Sequence, residues 1–349
     1  MQLYGPTLPE SMARKERTDL IRKIEQRRDS HVICCLTSDR QNAQGIIAKD
    51  FIPVFFEHLR TFSHHKRIDC LMFTEGGDTL AAFGLSRLLR EFTKDVGTLV
   101  PAKCQSAGTL FALGSDKIFM GRAATLSPID PSITSPLNPV VEVAPGQRQL
   151  LPVSVESVVG YKTLVREDWR LGDEESALAF RILAEKVNPL ALGDVYRGRQ
   201  QIERLARTLL NAHRQDEHQV QRIVEMLTHG FGSHDYLVSR TEARELMGSQ
   251  IAEDDAELEG LIWDLYCDYR DEMKLGTIFD ANMVLQASGT GAGVPSVVDE
   301  QKVVVVETTE GGDEFERAIR LMQTQVMTPG GPVQAVQQAL VRAGWKHYS

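Results

Sequence analysis

A chain of 349 residues, 42% hydrophobic and 25% charged, can bury one large core or two ordinary ones, which excludes a disordered or fibrous protein. Its 39 basic and 48 acidic residues give a formal charge of −9, which argues against a nucleic-acid or anionic-membrane surface. The start, MQLYGPTLPE, lacks the basic and apolar regions of a signal peptide, and no segment has about 18 consecutive apolar residues to span a membrane. Five cysteines (Cys34, Cys35, Cys70, Cys104, Cys267) show no CxxC spacing, so reduced, buried thiols and a cytoplasmic location are expected.

In chain order, residues 10–29 are charged and free of Gly and Pro, an exposed N-terminal helix. His31 to Leu36 is a continuous apolar run of strand length. Ile52, Phe55, Phe56 and Leu59 recur at helical spacing, and a second buried strand, Ile68 to Phe73, ends in Thr74-Glu75-Gly76-Gly77-Asp78. Leu80, Phe83, Leu88 and Leu89 carry another helix, and a third strand, Thr98 to Val100, leads into Ser106. This alternation predicts an α/β domain with a largely parallel sheet, whose ligand site gathers at the carboxyl ends of the strands. Residues 132–151 are Pro-rich and read as a long loop. Helical stripes follow, including Ile202, Leu205, Ala206 and Leu209, then Val220, Ile223, Val224 and Leu227. Thr241 is placed to cap a short helix ending at Gly248, and residues 253–271 read as an acidic amphipathic helix. The glycine-rich run 287–293 reads as a linker. Val303 to Val306 predicts a strand, Asp313 the start of a helix bearing Phe315, Ala318, Ile319 and Met322, and Pro332 the start of a last helix.

The chemistry centres on Pro101 to Pro131, where Ser106-Ala107-Gly108-Thr109 follows a strand and opens a helical turn. Small neighbours let the backbone turn sharply and let a carbonyl reach amide N–H groups, the way a hydroxyl nucleophile is presented. The same residues also fit an ordinary strand-to-helix turn with Ser106 as N-cap. Gly76-Gly77, one helix and one strand upstream, exposes N–H groups suited to a developing oxyanion, and the Ala107 N–H is a second donor. Cys104 is a rival nucleophile, set before the turn rather than on it. His213, His218, His229 and His234 have no HExxH or cysteine companions, so no metal site is expected.

TEGGDT, PAKCQSAGT and ATLSPIDPSI together resemble the Clp-protease/crotonase superfamily, within it the branch of signal peptide peptidase A and the serine dehydrogenase proteinases. Asn188-Pro189 with Leu192-Gly193, Leu209 to His213, and Gly232-Ser233-His234 leading to Arg240 resemble the second group, so the likeness covers roughly residues 30–250. The resemblance implies an α/β ββα spiral with an added helical region and a C-terminal strand-helix extension. The expected divisions are 1–30 (helical extension), 31–187 (catalytic core), 188–275 (helical region) and 276–349 (extension). It implies an ATP-independent serine peptidase without cofactor, acting on a peptide or protein as a homo-oligomer. Ser106 would be the nucleophile, with Gly77 and Ala107 as oxyanion donors.

No histidine lies between His65 and His213, so a histidine base at the Clp position is not expected. The signal peptide peptidase branch implies a lysine further along, and Lys162 is the only one between Lys117 and Lys186. A lysine base must be neutral, which requires burial to lower its pKa by about 3 units, roughly 4 kcal/mol. Asp130, at the corner where the Clp histidine would fall, and His234 are the alternatives. Two rival functions share these features: a crotonase-like acyl-CoA enzyme, and a non-catalytic assembly module.

Overall fold

The computed structural model describes residues 14–62, 66–129, 132–133, 136–144, 147–151, 153–212, 216–287, 296–328 and 331–348. Four parallel strands form its frame: β1 (Ser30–Thr37), β2 (Arg67–Phe73), β3 (Val96–Val100) and β4 (Lys117–Met120). Each is an almost unbroken apolar run because both faces of the sheet are covered. Along β1, Ile33 and Cys35 point into one core, while Val32, Cys34 and Leu36 point into the other.

The first core is closed by α2 (Phe51–Leu59), α3 (Thr79–Phe92) and α4 (Ala107–Leu113). The second is closed by the N-terminal helix α1 (Arg14–Arg28), which packs on a later helix over residues 256–273. Asp78 caps α3 by accepting from Leu80 and Ala81 N–H at 2.8 and 3.1 Å. Beyond the sheet edge, single parallel bridges stack a second, minimal layer: Ile47 with Gly77, Thr74 with Cys104, and Lys103 with Thr125. That layer holds the loops leaving β2 and β3 at a fixed spacing.

After β5 (Thr125–Leu126), the stretch expected to be one loop contains β6 (Ser132–Ile133), β7 (Val140–Ala144) and β8 (Gln147–Leu150), and β9 (Val153–Ser154) follows it. β6 pairs with β9, and β7 with β8, so the prolines punctuate two short ribbons. The helical region follows as α5 (Val155–Thr163), a π-helical turn at Leu164–Asp168, α6 (Asp173–Lys186), α7 (Pro189–Asn211) and α8 (Glu217–Glu225). A second π-helical turn, Met226–Gly230, precedes β10 (Val238–Ser239), α9 (Arg240–Met247), α10 (Ala256–Met273) and α11 (Ala281–Ala287). The cap of α9 is Ser239 rather than Thr241. Its hydroxyl accepts from Glu242 N–H while the Glu242 carboxylate accepts from Ser239 N–H, a reciprocal capping box. No helix among the described residues is long and apolar enough to cross a membrane.

The C-terminal extension departs from the sequence expectation. Its strand is present as β11 (Val297–Glu307), but the two expected helices are the strands β12 (Gly312–Thr328) and β13 (Gly331–Tyr348). The seven strands lie in the order β13-β12-β11-β1-β2-β3-β4, with β11 antiparallel to β1. The reason is non-local. Val303 to Val306 is buried beside β1, and its free backbone edge is satisfied only by another strand, which overrides the helical spacing around Asp313. Pro332 starts an edge strand beside the turn, a place where its missing N–H costs nothing.

Candidate active site

The loops after β2 and β3 meet at Ser106. Its backbone takes φ +50° and ψ −113°, which a side chain rarely adopts, and α4 begins at the next residue. Two contacts hold it there. Ser106 N–H donates to Ser127 Oγ at 2.7 Å, and Ser127 Oγ in turn donates to the Pro128 carbonyl at 3.1 Å. Ser127 is itself fixed by its N–H on Thr109 Oγ1 at 3.0 Å, and Thr109 donates to the Cys104 carbonyl at 2.9 Å. From the other side Gly76, at φ +122°, lies so near that an added Cβ would sit 2.8 Å from Ser106 Cβ and 3.2 Å from its Oγ. Only glycine fits there.

Backbone donors converge on the same spot. Gly76 N–H is taken by Thr74 Oγ1 at 3.0 Å, and Thr74 Oγ1 also receives the Thr37 hydroxyl at 2.8 Å. Ile47 N–H donates to the Gly76 carbonyl at 2.9 Å, and Asp78 N–H to the Ile47 carbonyl at 2.8 Å. That pattern turns the Gly77 N–H away from Ile47. Among the described residues neither Gly77 N–H nor Ala107 N–H donates to another group. Both remain available to an anionic oxygen, Ala107 in the first turn of its helix.

The rival groups separate clearly. Cys104 is fully buried, and burial pushes its thiol well above the ordinary range, so it is a core side chain. Lys103, three residues before Ser106, reaches Asp39 at 2.7 Å and Glu75 at 2.9 Å. Burial works to lower its pKa, but those two carboxylates outweigh it and hold the ammonium charged. Lys162 sits at an exposed position on α5 and lines a cavity of about 580 Å³ with Val158, Phe180, Leu183, Val195 and Tyr196. None of the residues around Ser106 lines that cavity, and no hydrogen bond joins Lys162 to Ser106 among the described residues. Asp130 and His213 lie outside the described residues.

The corner after Ser127 instead receives the histidine-bearing segment. Ile129 N–H donates to the Leu227 carbonyl at 2.7 Å, and β10 pairs antiparallel with β5, Val238 opposite Leu126 and Ser239 opposite Thr125. The connection between these anchors carries His229 and His234 and is stiffened by Phe231 stacking on Tyr236 at 4.6 Å. His229 Nδ1 is 2.9 Å from Thr228 Oγ1, and His234 is half-buried. Two contributors to this site are hard to see in the sequence. Gly76 is distinguishable from Gly77 only by which of them meets Ser106, and Ser127 only by a bond spanning 21 residues.

Two uncharacterized proteins of Methanocaldococcus jannaschii are similar. One is 25% identical over 255 residues, 70% of this chain and 76% of its own. The other is 32% identical over 136 residues, 36% of this chain and 46% of its own, so the chain spans less than half of that relative. Among solved structures, a membrane-bound stomatin-specific protease is 13% identical, with TM-score 0.38 over 65% of this chain and 80% of its own. ClpP1 from Listeria monocytogenes is also 13% identical, with TM-score 0.37 over 69% of this chain and 99% of its own. Residues 1–149, which hold Gly76, Gly77, Ser106 and Ser127, match the family model described as ClpP-like SDH-type serine proteinase.

Proposed function

We propose that the chain is a serine peptidase in which Ser106 attacks a peptide carbonyl. The observation that carries this reading is the backbone of Ser106: a serine at φ +50°, pinned by Ser127 and backed by Gly76, is the strained strand-to-helix presentation of a nucleophile. Neither a crotonase-type acyl-CoA enzyme nor a non-catalytic module has a use for that strain. A general base takes the Ser106 proton as the tetrahedral intermediate forms, and Gly77 and Ala107 N–H stabilise its oxyanion. The base passes that proton to the leaving amine, and water, deprotonated by the same base, hydrolyses the acyl-enzyme and frees Ser106. The scheme needs no ATP and no cofactor. The five unpaired cysteines suit a reducing compartment, the cytoplasm.

For the base, the resemblance points to Lys162 and the geometry favours His234. Lys162 is solvent-exposed on α5, whereas a neutral lysine needs burial. The β5–β10 pairing and the Ile129–Leu227 bond bring the His234 segment to the corner that anchors Ser106. Rates of fluorophosphonate labelling and of peptide hydrolysis without ATP test both assignments in the full chain. A His234 base predicts that His234→Ala loses at least 100-fold in both rates, while Lys162→Ala stays within about twofold. The reverse pattern returns the reaction to a Ser-Lys dyad.

A further inference from the structure

β13 ends the seven-stranded sheet, and no described strand pairs with its outer edge. At 18 residues it leaves a long outer edge to which no described strand bonds, the feature that natural proteins blunt with charges, prolines or bulges. Its two halves are treated differently. In the half beyond Val341 the charges are spent within the same chain: Arg342 on Glu300 and Glu316 at 3.4 Å, Lys346 on Glu316 at 3.3 Å, and His347 on Asp313 at 3.3 Å. The other half, Gly331 to Val341, has 11 residues without a single Asp, Glu, Lys, Arg or His. A register shift at Val341 separates the halves, since Ala318 faces Arg342 while Ile319 faces Leu340. The uncharged half is also held firm, because Leu321 and Val336 pack with Phe279 and Leu285 below it.

We infer that the Gly331–Val341 edge pairs antiparallel with the same edge of a second copy, continuing the sheet across a two-fold axis at Gln337. Pairing of this kind is self-complementary, as a two-fold interface requires. With Gln337 on the axis, Ala335 faces the partner's Ala339, and Gln334 faces the partner's Leu340. No like charges meet, and Leu340, 64% exposed in the single chain, gains cover. A second copy is favoured over a peptide substrate because β13 lies at the far end of the sheet from Ser106, separated from β2 by β12, β11 and β1.

The test uses the full chain with exposed Gln337 substituted. Gln337→Lys sets two ammonium groups opposite each other on the axis and should halve the mass measured by light scattering, raising the dissociation constant at least tenfold. Gln337→Cys sets two thiols across an antiparallel pair whose Cα atoms lie about 4.5–5.5 Å apart, within disulfide reach, so mild oxidation should yield a covalent dimer that wild type does not form. A monomeric wild type, a mass unchanged by Gln337→Lys, or no cross-link in folded Gln337→Cys would each overturn the inference. Peptide hydrolysis by the variants reports on Ser106 separately.

Discussion

Replacing Ser127 by alanine removes the acceptor that holds the Ser106 N–H. Ser127 is buried, and its Oγ accepts from Ser106 N–H at 2.7 Å while donating to the Pro128 carbonyl at 3.1 Å. An orphaned N–H at such a site costs about 1–3 kcal/mol. The backbone conformation of Ser106 costs of the same order, about 1–3 kcal/mol, and persists only because its surroundings impose it. Without the bond, relaxation of the turn becomes competitive with the strained form. If the strained form loses about 2 kcal/mol relative to the relaxed one, the reactive population falls roughly 30-fold. Fluorophosphonate labelling in Ser127→Ala is therefore expected to slow about 10–100-fold, with the melting temperature down by several degrees. Ser127→Thr, which keeps the hydroxyl, should recover much of both. A Ser127→Ala protein that labels within twofold of wild type and melts at the same temperature would refute the role given to this bond.

Three further outcomes are expected. Gly76→Ala places a Cβ 2.8 Å from Ser106 Cβ at φ +122°, so labelling should fall below detection while circular dichroism reports a folded chain. Arg17 is 5% exposed and pairs with Asp268, Glu272 and, at 3.1 Å, Glu307, whose carboxylate also accepts from Tyr269 OH at 2.8 Å. Arg17→Met strands those carboxylates, and denaturant unfolding should show a loss of about 3–5 kcal/mol. His58, buried on α2 against Asp313 of β12, has its pKa lowered by burial, which its 2.9 Å contact with Asp313 only partly offsets. Below about pH 6.5 the unfolded chain therefore takes up the proton first, and stability falls as pH drops from there to the depressed folded value, by at most about 1.4 kcal/mol per pH unit. Unfolding of His58→Gln at pH 7.5 and 5.5 should show a smaller pH difference than wild type.

The sequence carried the frame well because β1 to β4 are apolar on both faces, so each strand announces itself locally. The meeting of the proposed site's loops was legible for the same kind of reason: Ser106 and Gly76-Gly77 each follow a strand within a few residues, and a parallel sheet brings such loops to one edge. What depends on distant partners was not legible. The strands β12 and β13 exist because β11 needs a neighbour, and their local spacing imitates a helix. The arrival of the His234 segment at the Ser127 corner rests on the β5–β10 pairing across 112 residues, Val238 opposite Leu126, which no window of sequence contains. Lys162 follows Val158 and Val159 in sequence, but on α5 all three line one cavity and the lysine stays exposed.

The most direct measurement is mass-spectrometric localisation of a fluorophosphonate adduct on the full-length chain. The expected result is a single adduct on Ser106 in wild type and none in a folded Ser106→Ala protein. Folded wild type that takes no label, or an adduct that persists in Ser106→Ala, would contradict the assignment of Ser106 as the nucleophile.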